Sequence, residues 1–140
     1  MNAVEKQLSG NDTGETGGHQ AGILIPKGGD ILNFFPQLPQ DTKNPRTVVD
    51  VVDMTGKEWS FKFIYYNNKF FGGTRNEFRL TGMTEYIRAF NLKTGDFLVL
   101  EKISDRLIRI RYRRKGRTGS SGELKLGMGG WRIIDYSEED

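Results

Sequence analysis

The sequence predicts a mainly β fold with two short α-helices, an open barrel or a sandwich with the helices at its ends. Three observations lead there. Short apolar or alternating runs recur at close spacing along most of the chain, the clearest being Trp59, Phe61, Phe63 and Tyr65 at every second residue. Eighteen glycines accompany nine Phe and five Tyr, a composition suited to many turns joining aromatic strands. Only two stretches, after Asp30 and after Thr84, carry helical spacing. The 140 residues fit one domain with one moderate core, expected over 1–136, with 137–140 as an acidic tail or the start of a linker.

Taken in order, a first strand is expected over Ala3–Leu8. Ser9–Gln20 lacks apolar residues and is rich in Gly and Asx, so it reads as a loop. Ala21–Ile25 reads as a buried strand ended by Pro26. Asp30 is expected to cap a short helix reaching Phe35, closed by Pro36. Val48–Asp53, a Thr55-Gly56 turn and Lys57–Tyr66 form a hairpin. Asn67 and Asn68 turn the chain, and a short run through Phe71 reaches Gly72-Gly73. Arg75–Leu80 is the next strand. Thr84 is expected to cap a helix to about Phe90, with Tyr86, Ile87 and Phe90 on one face. Phe97–Lys102, Leu107–Tyr112 and Trp131–Tyr136 complete the strands, with 117–122 a loop.

Composition excludes several functions. Without cysteine there is neither disulfide nor thiolate metal site, and the single histidine, His19, cannot build a multi-histidine site. The start has no signal-peptide character, and no apolar run approaches the ~18 residues needed to cross a bilayer. A soluble, untargeted chain in a reducing cytoplasm is expected. Net charge is only +3, but residues 57–117 hold 15 Lys and Arg against 6 Asp and Glu, a balance of +9. Residues 1–56 and 118–140 are each at −3 (4 against 7, and 2 against 5). A basic middle between acidic ends fits either an anionic partner or a solvated basic surface.

Four groups of residues could carry chemistry. Alternation puts Arg75, Glu77 and Arg79 in one row with Phe78 turned to the core. An Arg fork fits O6 and N7 of guanine, and a carboxylate accepts from the N4 amine of cytosine, so the row suits G·C pairs, or else is a surface ladder of ion pairs. The Asn11–Gln20 loop sets Asn11, Asp12, Glu15, His19 and Gln20 on a glycine-rich backbone that could approach base edges closely, or be a plain surface loop. It lacks the ending of a phosphate-binding P-loop. Arg109, Arg111 and Arg113 share one face of a strand, fit for phosphates or for solvent. Glu123-Leu124-Lys125, with Asp105 upstream, fits half of a metal-dependent nuclease motif, a triplet frequent by chance.

Two long segments resemble a known family. Leu8-Ser9-Gly10-Asn11-Asp12-Thr13-Gly14-Glu15-Thr16-Gly17-Gly18-His19-Gln20-Ala21-Gly22 and Tyr65-Tyr66-Asn67-Asn68-Lys69-Phe70-Phe71-Gly72-Gly73-Thr74-Arg75-Asn76-Glu77-Phe78-Arg79 are similar to the N-terminal effector domain of EcoRII-type restriction endonucleases. Trp59–Phe63, Leu80-Thr81-Gly82, Arg88–Leu92 and Lys93–Asp96 look like the plant B-three transcription-factor domain, of the same DNA-binding pseudobarrel fold. The resemblance spans roughly residues 8–103. It implies an open β-barrel of about seven strands with two short helices, gripping double-stranded DNA with two arms in the major groove.

The arms would be Asn11–Gln20 and about Asn67–Arg79, each reading half of a short CCWGG-like pseudopalindromic site. Implied base readers are Asp12, His19, Arg75, Asn76, Glu77 and Arg79. Asn11, Thr13, Gln20, Lys69, Thr74, Arg109 and Arg111 are expected to hold the backbone or support the arms. Binding is expected of a monomer and without a cofactor, Mg²⁺ serving only a separate, fused nuclease domain. Gly73 and Phe78 stand where the restriction-enzyme domain has lysines, and Met83 replaces a tryptophan usual in the plant domains. The alternatives are a small metal-dependent nuclease using Asp105, Glu123 and Lys125, and a plant-type transcription-factor domain.

Overall fold

The structure, a computed structural model, describes residues 2–14, 22–116 and 128–135. Period-two patterning sets its central strands. In β4 (Glu58–Tyr66) the side chains of Trp59, Phe61, Phe63 and Tyr65 are buried while Glu58, Ser60 and Lys62 are exposed. Its hairpin partner β3 (Arg46–Val52) is joined through a turn in which Gly56 has φ 91°. The other strands are β1 (Asn2–Gln7), β2 (Ile23–Ile25), β5 (Glu77–Thr81), β6 (Phe97–Ser104), β7 (Leu107–Arg113) and β8 (Trp131–Asp135).

All eight form one sheet in the order β2-β5-β4-β3-β7-β6-β1-β8. Every pairing is antiparallel except β3 with β7. The two edge strands meet across a seam rather than a ladder: Trp131 Nε1 on β8 donates to the Leu24 carbonyl on β2 at 2.9 Å. Among the described residues the result is an open barrel of eight strands, one more than the seven that the family resemblance implies.

One aromatic chain runs through its core. Tyr65 stacks on Phe78 with centroids 4.1 Å apart, Phe78 on Phe63 at 5.7 Å, and Phe63 on Phe35 at 5.0 Å. Phe35 then meets Trp131 edge-on at 6.0 Å. Two helices close the barrel. α2 (Gly29–Phe34) buries Ile31 and Phe34, and α3 (Thr84–Ala89) buries Tyr86 and Ile87. Packing rather than capping sets their starts. Gly28 and Met83 hold the cap positions without a side-chain bond, so Asp30 and Thr84 lie inside the helices they were expected to cap. The end of α3 is held from outside, by Arg114 donating to the carbonyls of Phe90 (2.6 Å) and Asn91 (3.0 Å).

Three other expectations change. The loop expected over Ser9–Gln20 opens with a helical turn, α1 (Gly10–Thr13). Leu24 in β2 is 47% exposed, so that strand is buried on alternate residues and not throughout. β5 begins at Glu77 because the backbone of Arg75 is committed elsewhere: its N–H goes to Asn68 Oδ1 (2.7 Å) and its carbonyl to Lys69 N (2.8 Å).

Candidate nucleic-acid interface

The segment from Asn67 to Arg79 is built as a pinned projection. Asn67 is buried at its root, accepting from Asn44 N at 2.7 Å and donating to the Thr42 carbonyl at 2.9 Å. A single 3₁₀ turn (Asn68–Phe71) follows, and Gly73 N returns to the Asn68 carbonyl at 2.7 Å. A Cβ on Gly73 would lie 2.8 Å from Asn68 Cγ, so a side chain there would have to displace the Asn68 amide that holds Arg75 N. Every residue from Lys69 to Arg75 is exposed. Lys69 and Thr74 thus lie on the tip, consistent with arm residues.

Below the tip, Phe78 is sunk between Tyr65 and Phe63, which turns Glu77 and Arg79 outward as alternation requires. The expected row is present. Arg75 Nη2 and Arg79 Nε bind one oxygen of Glu77, Oε2, at 2.6 and 2.8 Å. Hydrogen bonds from Arg79 and then Arg75 hold the Glu77 carboxyl below the usual carboxylate range, so it is an acceptor at neutral pH. The Arg75 guanidinium also lies over the Tyr66 ring, 3.8 Å from its centroid. Asn76 Oδ1 accepts from the Tyr65 hydroxyl at 2.7 Å, tying this residue to the core stack. Arginine donors beside an ionised carboxylate form a pattern complementary to the major-groove edge of G·C pairs.

The root of the other expected arm is equally fixed. Ser9 caps α1 in a reciprocal box: its hydroxyl accepts from Asp12 N, and Asp12 Oδ2 accepts from Ser9 N at 2.9 Å. Asp12 Oδ2 also takes Lys6 Nζ at 3.0 Å, and both side chains are under one-tenth exposed. Asp12, expected to read bases, is therefore engaged in anchoring α1 to β1. Asn11 is exposed on the same turn, and Thr13 Oγ1 donates to the Gly10 carbonyl at 3.2 Å. Glu15, His19 and Gln20 lie outside the described residues.

The two arm roots meet. Gly22, just before β2, offers its carbonyl to Arg79 Nη1 at 3.0 Å, and Leu24 pairs with Arg79 in the β2–β5 ladder. Gly22 has φ 95°, and a Cβ there would come within 2.7 Å of the Leu80 carbonyl.

The arginines of β7 are placed otherwise. Glu101 and Glu5 are buried on the barrel's outer face at 4% and 1% exposure. Arg109 (3.0 Å) and Arg111 (3.2 Å) pair with Glu101, while Arg113 (2.7 Å) and Arg132 (2.6 Å) pair with Glu5. β7 stands three strands from β5 in the sheet, so Arg109 and Arg111 do not join the Arg75–Glu77–Arg79 row.

Other perturbed groups are structural. Burial pushes the Asp53 carboxyl up. Hydrogen bonds from the Thr55 hydroxyl, Trp59 Nε1 and the N–H groups of Thr55 and Lys57 outweigh that and hold it at about 2. Asp96 is likewise raised by burial, yet N–H bonds from Lys115 and Lys93 with Arg114 bring it below its usual value. Among the described residues no cluster of three His, Asp or Glu could hold a metal ion. Asp105 is exposed in the turn between β6 and β7, and Glu123 and Lys125 lie outside the described residues. Sequence reasoning missed Asn67, Asn68 and Gly22. Asn-Asn after a strand signals only a turn, and nothing local shows which backbone groups its amides reach.

Comparison with known proteins accords with this architecture. Residues 2–106 match the family described as restriction endonuclease EcoRII, N-terminal. The chain is 33% identical over 138 residues to the type II restriction enzyme EcoRII of Escherichia coli, covering 96% of this chain and 31% of that enzyme. It is 30% identical over 121 residues to a B3 domain-containing transcription factor of Arabidopsis thaliana, covering 85% of this chain and 15% of that protein. Thus it spans under a third of either relative. Among solved structures, the Arabidopsis FUS3–DNA complex superposes with TM-score 0.59 at 18% identity, over 80% of this chain and 96% of the other. The N-terminal domain of Helicobacter pylori LlaJI.R1 does so with TM-score 0.54 at 15% identity, over 96% and 98%. The open barrel and a family match that spans residues 2–106 together make this chain a member of the EcoRII N-terminal restriction endonuclease family.

Proposed function

We infer that the chain is a sequence-specific double-stranded-DNA-binding module, the recognition part of a type II restriction endonuclease, reading a short CCWGG-like pseudopalindrome in the major groove. The observation that carries this is the Arg75–Glu77–Arg79 row. It is an ionised carboxylate between two arginines, held at the start of β5 and tied through Arg79 to the Gly22 carbonyl before β2. Preorganised donors and acceptors of this pattern discriminate bases at a low ordering cost. Arg75, Asn76, Glu77 and Arg79 are the readers supported by position, and His19 is proposed with them on the family likeness. Lys69, Thr74, Asn11, Thr13 and Gln20 supply contacts around them.

Asp12 acts from beneath, holding the first arm's root. Binding is by a monomer and needs no metal, and cleavage resides in a nuclease domain fused to this one in the full-length enzyme, in a bacterial cytoplasm. A DNA-bound solved relative with this fold supports the reading. Selection of bound duplexes from a random pool tests it: a short motif with G·C pairs in both halves is expected, and an unenriched pool would reject it.

A further inference from the structure

The pinned tip carries two exposed aromatic rings. Phe70 is 64% and Phe71 43% exposed, on the 3₁₀ turn between Lys69 and Gly72. They lie outside the hydrophobic core. The turn that presents them is closed by backbone and Asn68 bonds to Gly73 and Arg75, so their display is built in. The projection from Asn67 to Arg79 holds Lys69, Arg75 and Arg79 against Glu77, a balance of +2, and so favours a polyanion over an uncharged or basic partner.

We propose that Phe70 and Phe71 are specificity-determining residues that meet the C5-methyl group of a thymine in the major groove, beside the G·C pairs taken by the Arg75–Glu77–Arg79 row. Thymine is the one natural base with an apolar group in that groove, and a phenyl ring is a suitable contact for it. The chain order fits. The apolar tip and the charged row are successive parts of one arm, so one insertion into the groove brings both to neighbouring base pairs. This inference rests on the DNA-reading function proposed above.

The test replaces thymine by deoxyuridine, one position at a time, in the duplex that the whole chain selects from a random pool. Only the methyl is lost and the hydrogen-bonding edge is retained. Affinity is expected to fall about fourfold at one or two positions, equivalent to ~0.8 kcal/mol for a buried methyl. In Phe70→Ala or Phe71→Ala, deoxyuridine and thymine should bind alike at those positions, with the melting temperature unchanged. A selected site without a required thymine overturns the proposal, as does indifference to deoxyuridine. So does equal weakening of every duplex by the variants, which would make the rings a sugar–phosphate contact. Self-association abolished by Phe70→Ala would assign the tip to a second copy instead. An unenriched pool would defeat the DNA-reading function itself, a result distinct from all of these.

Discussion

Replacing Arg75 by alanine separates base reading from arm architecture. In the free protein Arg75 makes one ion pair with Glu77 at 2.6 Å and one stacking contact with Tyr66, and its side chain is 43% exposed. An exposed pair is worth roughly 0.2–1 kcal/mol and an exposed cation–π contact roughly 0.5–1 kcal/mol. Arg75→Ala should therefore cost about 1 kcal/mol of folding stability, a melting shift of roughly 2–5 °C. On the selected duplex the loss should be larger, about 1–3 kcal/mol or roughly 5- to 150-fold in affinity, if Arg75 makes the proposed bidentate contact to guanine.

Fluorescence anisotropy on cognate and scrambled duplexes reads this difference. A second arm of the experiment replaces each guanine of the site by 7-deazaguanine, which removes the N7 acceptor alone. At the guanine that Arg75 reads, the analogue should weaken the parent protein and leave Arg75→Ala unaffected, giving a coupling energy in the double-mutant cycle. The slope of log affinity against log salt should stay nearly the same. An equal loss on cognate and scrambled duplexes, with a slope reduced by about one, would make Arg75 a phosphate contact and refute the reasoning.

Other consequences follow from the same geometry. Gly73→Ala puts a methyl against Asn68 and must reshape the tip, so cognate affinity should fall about tenfold or more while urea unfolding changes by roughly 1 kcal/mol or less, since the tip is solvent-exposed. Asp53 has its carboxyl at about 2 against an ordinary 3.8, so its contribution is fully present above about pH 4 and lost as the pH falls through 2. The shift corresponds to about 2 kcal/mol, and urea unfolding of Asp53→Asn should lack that part of the acid dependence. Chelation with EDTA should leave DNA affinity within experimental error, and a fall restored by Mg²⁺ would contradict metal-free reading.

The strands were legible where one face is buried. Trp59 to Phe63 alternate with period two before Ile64 breaks the pattern by being buried as well, and the Arg75–Glu77–Arg79 row followed from the same rule once Phe78 was placed inward. Local capping signals misled at Asp30 and Thr84, because burial of Ile31, Phe34, Tyr86 and Ile87 fixes those helices without help from the cap. Asp12 shows a deeper limit. A carboxylate in a glycine-rich loop looks available, but Lys6, six residues earlier on β1, closes on it only in three dimensions. The β7 arginines fit phosphates or solvent equally by alternation, and while Glu101 faces them across the β6–β7 hairpin, their other partner Glu5 lies on β1, 108 residues before Arg113.

Methylation interference on the selected duplex tests the groove assignment most directly. Dimethyl sulfate blocks N7 of guanine in the major groove and N3 of adenine in the minor groove. Exclusion from the bound fraction is expected for duplexes methylated at guanine N7 in both halves of the site, with adenine N3 methylation tolerated. Interference confined to adenine N3, or none at any guanine, would contradict reading by arms in the major groove.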